Sequence, residues 1–151
     1  MADPAPPAPV AFEGAAPILR VRDLEASVDY YVRVLGFALD WQEPGVIASV
    51  TRGRCTVFVC EGDQGHAGGW VWIGVADARA LHDEYVRRGA LIRHPPTNYA
   101  WALEMQVVDL DGNVLRLGSE PDEGAPGGEW LDMHGHRWVR SGDRWPRLDR
   151  N

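Results

Sequence analysis

Apolar positions along this chain follow two rhythms: short segments with the alternation of strands, and two longer ones with helical spacing. Ala16-Pro17-Ile18-Leu19-Arg20-Val21 reads as a strand. Asp23 then caps a helix through about Leu35, with Glu25 in its first turn and Gly36 just past its end. Three strands follow: Phe37 to Trp41, Val46 to Arg52, and Thr56 to Cys60, with Gly53-Arg54 as a turn. A glycine-rich segment over 61–69 interrupts the pattern, which then starts again. Trp70 to Val75 is a strand, Asp77 caps a helix to about Arg88, and Gly89 closes it. Leu91-Ile92-Arg93 is a strand that His94-Pro95-Pro96-Thr97 is expected to break. Leu103 to Val108 and Val114 to Leu117 are the last two strands, joined by a turn at Asp111-Gly112-Asn113.

The restart is an internal repeat. Asp23 and Asp77 hold the same cap, and Tyr31-Val32-Arg33 recurs in register as Tyr85-Val86-Arg87. The expectation is an α+β fold of paired βαβββ modules, over about 16–61 and 70–118. A sandwich whose halves merely look alike is the alternative. Parity sorts the strand side chains into two faces. One is aliphatic: Leu19, Val21, Val57, Val59, Val71, Ile73, Met105, Val107, Leu115 and Leu117. The other carries Arg20, Phe58, Cys60, Trp70, Trp72, Glu104, Gln106 and Arg116. The aliphatic face must meet the helices. The aromatic and polar face is either a ligand cleft or a surface packed on a second sheet or a partner subunit.

Composition narrows the function. Of 151 residues 45% are hydrophobic and 25% charged, an ordinary globular balance in one domain of 15–120. The net charge of -7 argues against nucleic acid as a partner and favours cationic small molecules. All 15 basic residues are arginine, which excludes lysine Schiff-base chemistry and a P-loop. Cys55 and Cys60 lie on opposite faces of one strand, about 16 Å apart, beyond disulfide reach. No apolar run is long enough to span a membrane, residues 1–14 read as an Ala/Pro-rich arm without a signal-peptide pattern, and a reducing cytoplasm is the expected setting. Residues 121–151 form an extension in which Trp130, Trp138 and Trp145 are too apolar for a disordered end. It reads as a hairpin turning at Gly135 that packs on the domain or its partner. A lid adding aromatic rings to the cleft is the sharper alternative. His134 and His136, with Asp132, read as solvated residues rather than a metal site.

Three stretches carry a resemblance: Leu19-Arg20-Val21-Arg22-Asp23-Leu24, Tyr30-Tyr31 through Leu35-Gly36-Phe37, and Asp109-Leu110-Asp111-Gly112-Asn113. In this order and spacing the chain resembles the vicinal oxygen chelate superfamily, which includes glyoxalase I, extradiol dioxygenases and bleomycin-resistance proteins. The resemblance implies an open, cupped mixed sheet around a cleft, assembled as a homodimer. The enzymes of that group bind a divalent metal at four cleft positions, which here hold Ala16, Phe58, Trp70 and Arg116. A methyl, two aromatic rings and a permanent cation are not metal ligands, so no metal and no other cofactor is expected. The chain is most similar to the bleomycin-resistance branch, at Trp70-Val71-Trp72, at Trp101 with Glu104, and at Asp40-Trp41-Gln42-Glu43.

That branch implies sequestration of an aromatic, cationic small molecule such as a bleomycin-type antibiotic. Flat rings stack on indole faces, and cations gain from both π-faces and carboxylates. The ligand-binding set is therefore Asp40, Trp41, Glu43, Phe58, Cys60, Trp70, Trp72, Tyr99, Trp101, Glu104 and Arg116. The competing class is a lyase, isomerase or dioxygenase of the same superfamily using an unusual metal site or none, with Glu104 as general base. On the sequestration reading, Trp70→Ala should weaken ligand binding tenfold or more, about 1.4 kcal/mol. Unchanged affinity in a fluorescence titration would take this strand out of the site.

Overall fold

The computed structural model describes Ala5 and residues 8–148. Part of the N-terminal arm (residues 1–4, 6 and 7) and the last residues of the extension (149–151) lie outside the described residues. The first module runs β1 (Ile18–Arg20), α1 (Leu24–Asp29), β2 (Ala38–Glu43), β3 (Ile47–Arg52) and β4 (Cys55–Cys60). The second runs β5 (Trp70–Gly74), α2 (Ala78–Arg88), β6 (Leu91–Asn98), β7 (Leu103–Val108) and β8 (Val114–Ser119). The two sheets have the same topology, β1-β4-β3-β2 and β5-β8-β7-β6. In each, the first strand joins the last in parallel and the other pairings are antiparallel. This is the α+β architecture of paired βαβββ modules, open rather than closed into a barrel.

Local chemistry sets the helices. The Asp23 carboxylate accepts from the Ala26 amide at 2.9 Å, and Asp77 accepts from Arg79 and Ala80. Each cap satisfies amides that the first helical turn leaves without partners. Gly89 ends α2 in the left-handed conformation, φ 76°. Beyond α1 the chain widens into a π-helical turn over Tyr30–Val34, with the Leu35 amide bonded to the Tyr30 carbonyl. The wider turn places Tyr30 and Tyr31 side by side facing the second module.

One departure from expectation lies in β6. The strand was expected to stop at Arg93, yet it continues through both prolines to Asn98. Its register against β7 shifts between Ile92 and His94 and again between His94 and Thr97. As the sheet's edge strand, β6 absorbs Pro95 and Pro96 in these irregularities, where no ladder amide is required.

The aliphatic face of both sheets meets the helices in one core that includes Leu19, Val57, Val59, Met105, Leu115, Leu117, Tyr31 and Tyr85. Polar contacts lock the modules together around it. The Asp109 carboxylate accepts from the amides of Asp111 and Asn113, from the Asn113 side chain, and from the Tyr31 hydroxyl at 3.0 Å. Asn113 in turn donates to the Arg20 carbonyl and accepts from the Gly69 amide. Burial raises the Tyr31 phenol well above its ordinary pKa, and the Asp109 charge adds to the effect, so Tyr31 remains a donor. At the other end Arg52 bridges Glu84 and the Leu35 carbonyl, which also accepts from the Tyr85 hydroxyl. Tyr31→Phe removes a donor to a buried carboxylate and is expected to cost about 1.5–3 kcal/mol of stability. Urea unfolding checks this, with the midpoint falling and the slope unchanged.

Candidate functional site

The non-core faces of the sheets carry the chemistry. On the first sheet, Ile18, Phe58, Ser49 and Trp41 stand in one row across the four strands. The Trp41 and Phe58 rings meet at 5.4 Å. Asp40 sits at an irregularity between Leu39 and Trp41, where Ser49 donates to its carboxylate at 3.3 Å. Asp40, Trp41 and Glu43 are exposed and Phe58 is half-buried. Cys60, although on this face, is wholly buried. The chain after β4 folds back, with the Glu61 and Gly62 amides bonded to the Val46 carbonyl, and covers the thiol. Cys60 therefore presents no surface in this chain.

On the second sheet the face is organised by one carboxylate. Glu104 is 1% exposed. It accepts from Arg116 through both Nε (3.0 Å) and Nη2 (3.2 Å), from the Trp72 indole N–H at 3.2 Å, and from the Trp101 indole N–H at 3.2 Å. Trp72 and Arg116 face each other across the β5–β8 pairing, and Gln106 and His94 continue the row. The Trp72 indole lies over Gly74 and Gly118; a β-carbon at Gly118 would press on it at 3.2 Å. Trp101 stacks flat on Tyr99, with centroids 4.7 Å apart and planes 5° apart. Tyr99 is buried, its hydroxyl donates to the Glu129 carbonyl at 2.7 Å, and burial pushes the phenol up to about 12. Trp72 and Trp101 leave about half of their surface exposed.

This arrangement sorts the predicted residues. Trp72, Trp101 and, on the other sheet, Trp41, Asp40 and Glu43 are open to a ligand. Phe58, Trp70 and Arg116 are partly covered. Tyr99 and Glu104 are interior, and hold the exposed rings rather than offering surface themselves. Three of its four N–H bonds fall on Oε2 and one on Oε1, and at 1% exposure the group offers a substrate proton no open approach, so the geometry does not favour Glu104 as a general base.

The C-terminal extension lies on this same face. β9 (Trp130–Leu131) and β10 (Arg137–Trp138) pair antiparallel, and Gly135 adopts φ 82° in the turn between them. The Leu131 carbonyl accepts from Gln106, and the Asp132 carbonyl from Arg93. Trp130 lies 6.4 Å from Trp70, 5.8 Å from Tyr99 and 6.2 Å from Trp101, with the Arg116 guanidinium 4.8 Å above its ring. Arg93 covers Trp70 from 5.4 Å. Trp70 is thus partly covered within its own chain. Arg93 and Trp130 lie against the candidate site although neither is in the ligand-binding set read from the sequence. The one sequence signal was the density of tryptophan in a segment otherwise rich in glycine and charge. The Asp132 carboxylate accepts from the His134 and His136 amides, the His136 ring and the Trp138 indole N–H. Desolvation opposes its ionisation, but the donors from Trp138, His136 and His134 outweigh it and hold the carboxyl below its usual range. With those partners Asp132 is a turn acceptor, and no metal-holding cluster occurs among the described residues.

The four positions expected to ligate a metal do not fit one. Phe58 and Trp70 present rings, Ala16 a methyl, and Arg116 a guanidinium already bound to Glu104.

A family model described as the Glyoxalase/Bleomycin resistance protein/Dioxygenase superfamily matches residues 15–117. The chain belongs to this superfamily. The match ends before the extension. Among solved structures, the bleomycin-binding protein of bleomycin-producing Streptomyces verticillus, complexed with copper(II)-bleomycin, is similar at 28% identity and a TM-score of 0.62. That alignment covers 75% of this chain and 99% of that one. TioX from Micromonospora sp. ML1 has the same fold at 24% identity and TM-score 0.62, covering 72% of this chain and 99% of that one. A glyoxalase/bleomycin resistance protein from Streptomyces sp. CB03234 does so at 24% and 0.62, covering 70% and 99%. No curated protein sequence matches at a significant level.

Glu104→Gln tests the hub of the site. The amide would set an N–H group against donors from Trp72, Trp101 or Arg116 and leave the guanidinium without its counter-charge. A loss of about 1.5–3 kcal/mol is expected. Near-ultraviolet circular dichroism should report reoriented indoles, and urea unfolding the lost stability.

Proposed function

We propose that this superfamily member is a binding protein that sequesters an aromatic, cationic small molecule, of the class of bleomycin-type glycopeptide antibiotics, and so confers resistance. The observation that carries this reading is that Trp41 and Trp72 stand exposed on the non-core faces of the two sheets, with Trp101 exposed in the loop between β6 and β7. Exposed indoles are costly to leave bare unless something covers them. Two of the three are fixed by N–H bonds to a buried carboxylate. Rings held in place lose little freedom when a ligand stacks on them, so more of the contact energy appears as affinity. Asp40 and Glu43 add exposed negative charge beside Trp41. The 28% identity to the copper(II)-bleomycin-binding protein supports the ligand class. We further propose a cytoplasmic homodimer with clefts at its interface. The action is capture: no bond of the ligand is made or broken, and no cofactor is required. Among the described residues no helix is long and apolar enough to cross a membrane.

The first experiment titrates purified protein with metal-free and copper(II)-loaded bleomycin, following tryptophan fluorescence and measuring metal content on the same sample. Micromolar or tighter quenching at one ligand per subunit is the expected result, with Trp72→Ala weakening it at least tenfold. Absence of quenching would overturn bleomycin as the ligand. A stoichiometric metal in the protein would put the lyase or dioxygenase class in front. Sedimentation of the same sample measures assembly, and a monomer that binds fully would overturn the placement of the cleft at an interface.

A further inference from the structure

Between the second sheet and the C-terminal segment lies a cavity of about 450 Å3, lined by Trp101, Arg116, Trp130, Asp132, Trp138 and Trp145. Three of its four indoles come from a segment beyond the family match at residues 15–117. A hairpin that served only to cover the sheet would bury its rings. Here Trp130, Trp138 and Trp145 are half-buried and Trp101 is 47% exposed, so indole surface is left facing the space. The rings are also oriented by their edges. Trp101 donates its N–H to Glu104 and Trp138 donates its N–H to Asp132 at 2.9 Å, while Trp145 leans on Trp101 at 5.8 Å. With the Trp101 and Trp138 N–H edges engaged, what those two rings offer a guest is π-face.

Charge decides which guest. The one cation among the described lining residues, Arg116, is bound through two nitrogens to Glu104, so that pair is neutral as a unit. It already lies against the Trp130 ring at 4.8 Å, the contact an incoming cation would make with the other indoles. Asp132 lines the cavity with a carboxylate that its four N–H partners fix in place. We propose that the C-terminal segment completes a tryptophan cage that binds an aromatic organic cation. The volume lies within the range of small-molecule sites. The cage rests on the proposed capture of an aromatic cation and shares Trp101 with that site, but it requires neither bleomycin itself nor a dimer.

The test titrates the full chain with benzyltrimethylammonium, benzyl alcohol and benzenesulfonate, following tryptophan fluorescence and indole N–H shifts. Saturable binding of the ammonium ion is expected, at least tenfold tighter than either comparison compound. Trp145→Ala and Asp132→Asn should each weaken it fivefold or more. Trp138→Phe, which keeps a ring face, should retain most of it. Unfolding curves for each variant separate a lost site from a lost fold. Equal binding of the three compounds, or full binding by a folded Trp145→Ala protein, would overturn the cage. Copper(II)-bleomycin titrated into the same samples distinguishes the two readings. Ammonium binding without bleomycin binding overturns only the antibiotic class. Bleomycin binding without ammonium binding overturns only the cage.

Discussion

A buried carboxylate needs donors, and the aromatic face of this protein is arranged around meeting that need at Glu104. An ion removed from water costs several kcal/mol unless its lone pairs are satisfied. Glu104 is satisfied by a guanidinium and two indole N–H groups, none of them from the backbone. The consequence runs outward from the acid. Arg116 is pinned across β8, Trp72 is drawn over the glycines of β5 and β8, and Trp101 is held where it stacks on Tyr99. The polar interior of the face fixes the orientation of its apolar exterior. Trp130 then comes to rest on the outer side of the same guanidinium.

The modules themselves are joined by a comparable device. Asp109 and Asn113 sit in the turn before β8, yet they bond to Tyr31 in the first helical segment and to the β1 backbone. Buried polar groups with every partner supplied are a demanding arrangement, since removing one partner leaves the rest unpaired. Such contacts hold the two repeated halves in one relative placement. A continuous aliphatic core alone would permit small slides between them. The placement fixes the direction in which the non-core face of each sheet points.

Much of the fold was legible because it rests on local signals. Asp23 and Asp77 are caps wherever they occur before an apolar-periodic segment, and strand parity assigned Leu19, Val57 and Leu115 to the core before any contact was known. The reading of β6 failed because proline is judged against a regular ladder, and whether a strand lies at an edge is a property of the whole sheet. The site was legible by face but not by depth. Parity put Cys60, Glu104 and Trp72 on one side of their strands, but it carries no information on what lies above them. Cys60 is capped by the loop that follows it, Glu104 is roofed by its own donors, and Trp72 stays open.

The sequence by itself determined the repeat, the helix caps, the sorting of strand residues into two faces, and the absence of ligating side chains at the expected metal positions. Each of these depends on residue type and on spacing of a few residues. The tertiary structure alone decided that Glu104 is an interior hub, that Trp70 is partly covered, and that Trp130, Trp138 and Trp145 join Trp101 around a cavity. Those facts depend on where a segment lands many residues away from its partners. That landing is set by a shared fit of rings, hydrogen bonds and charge, for which no local pattern is a sufficient record.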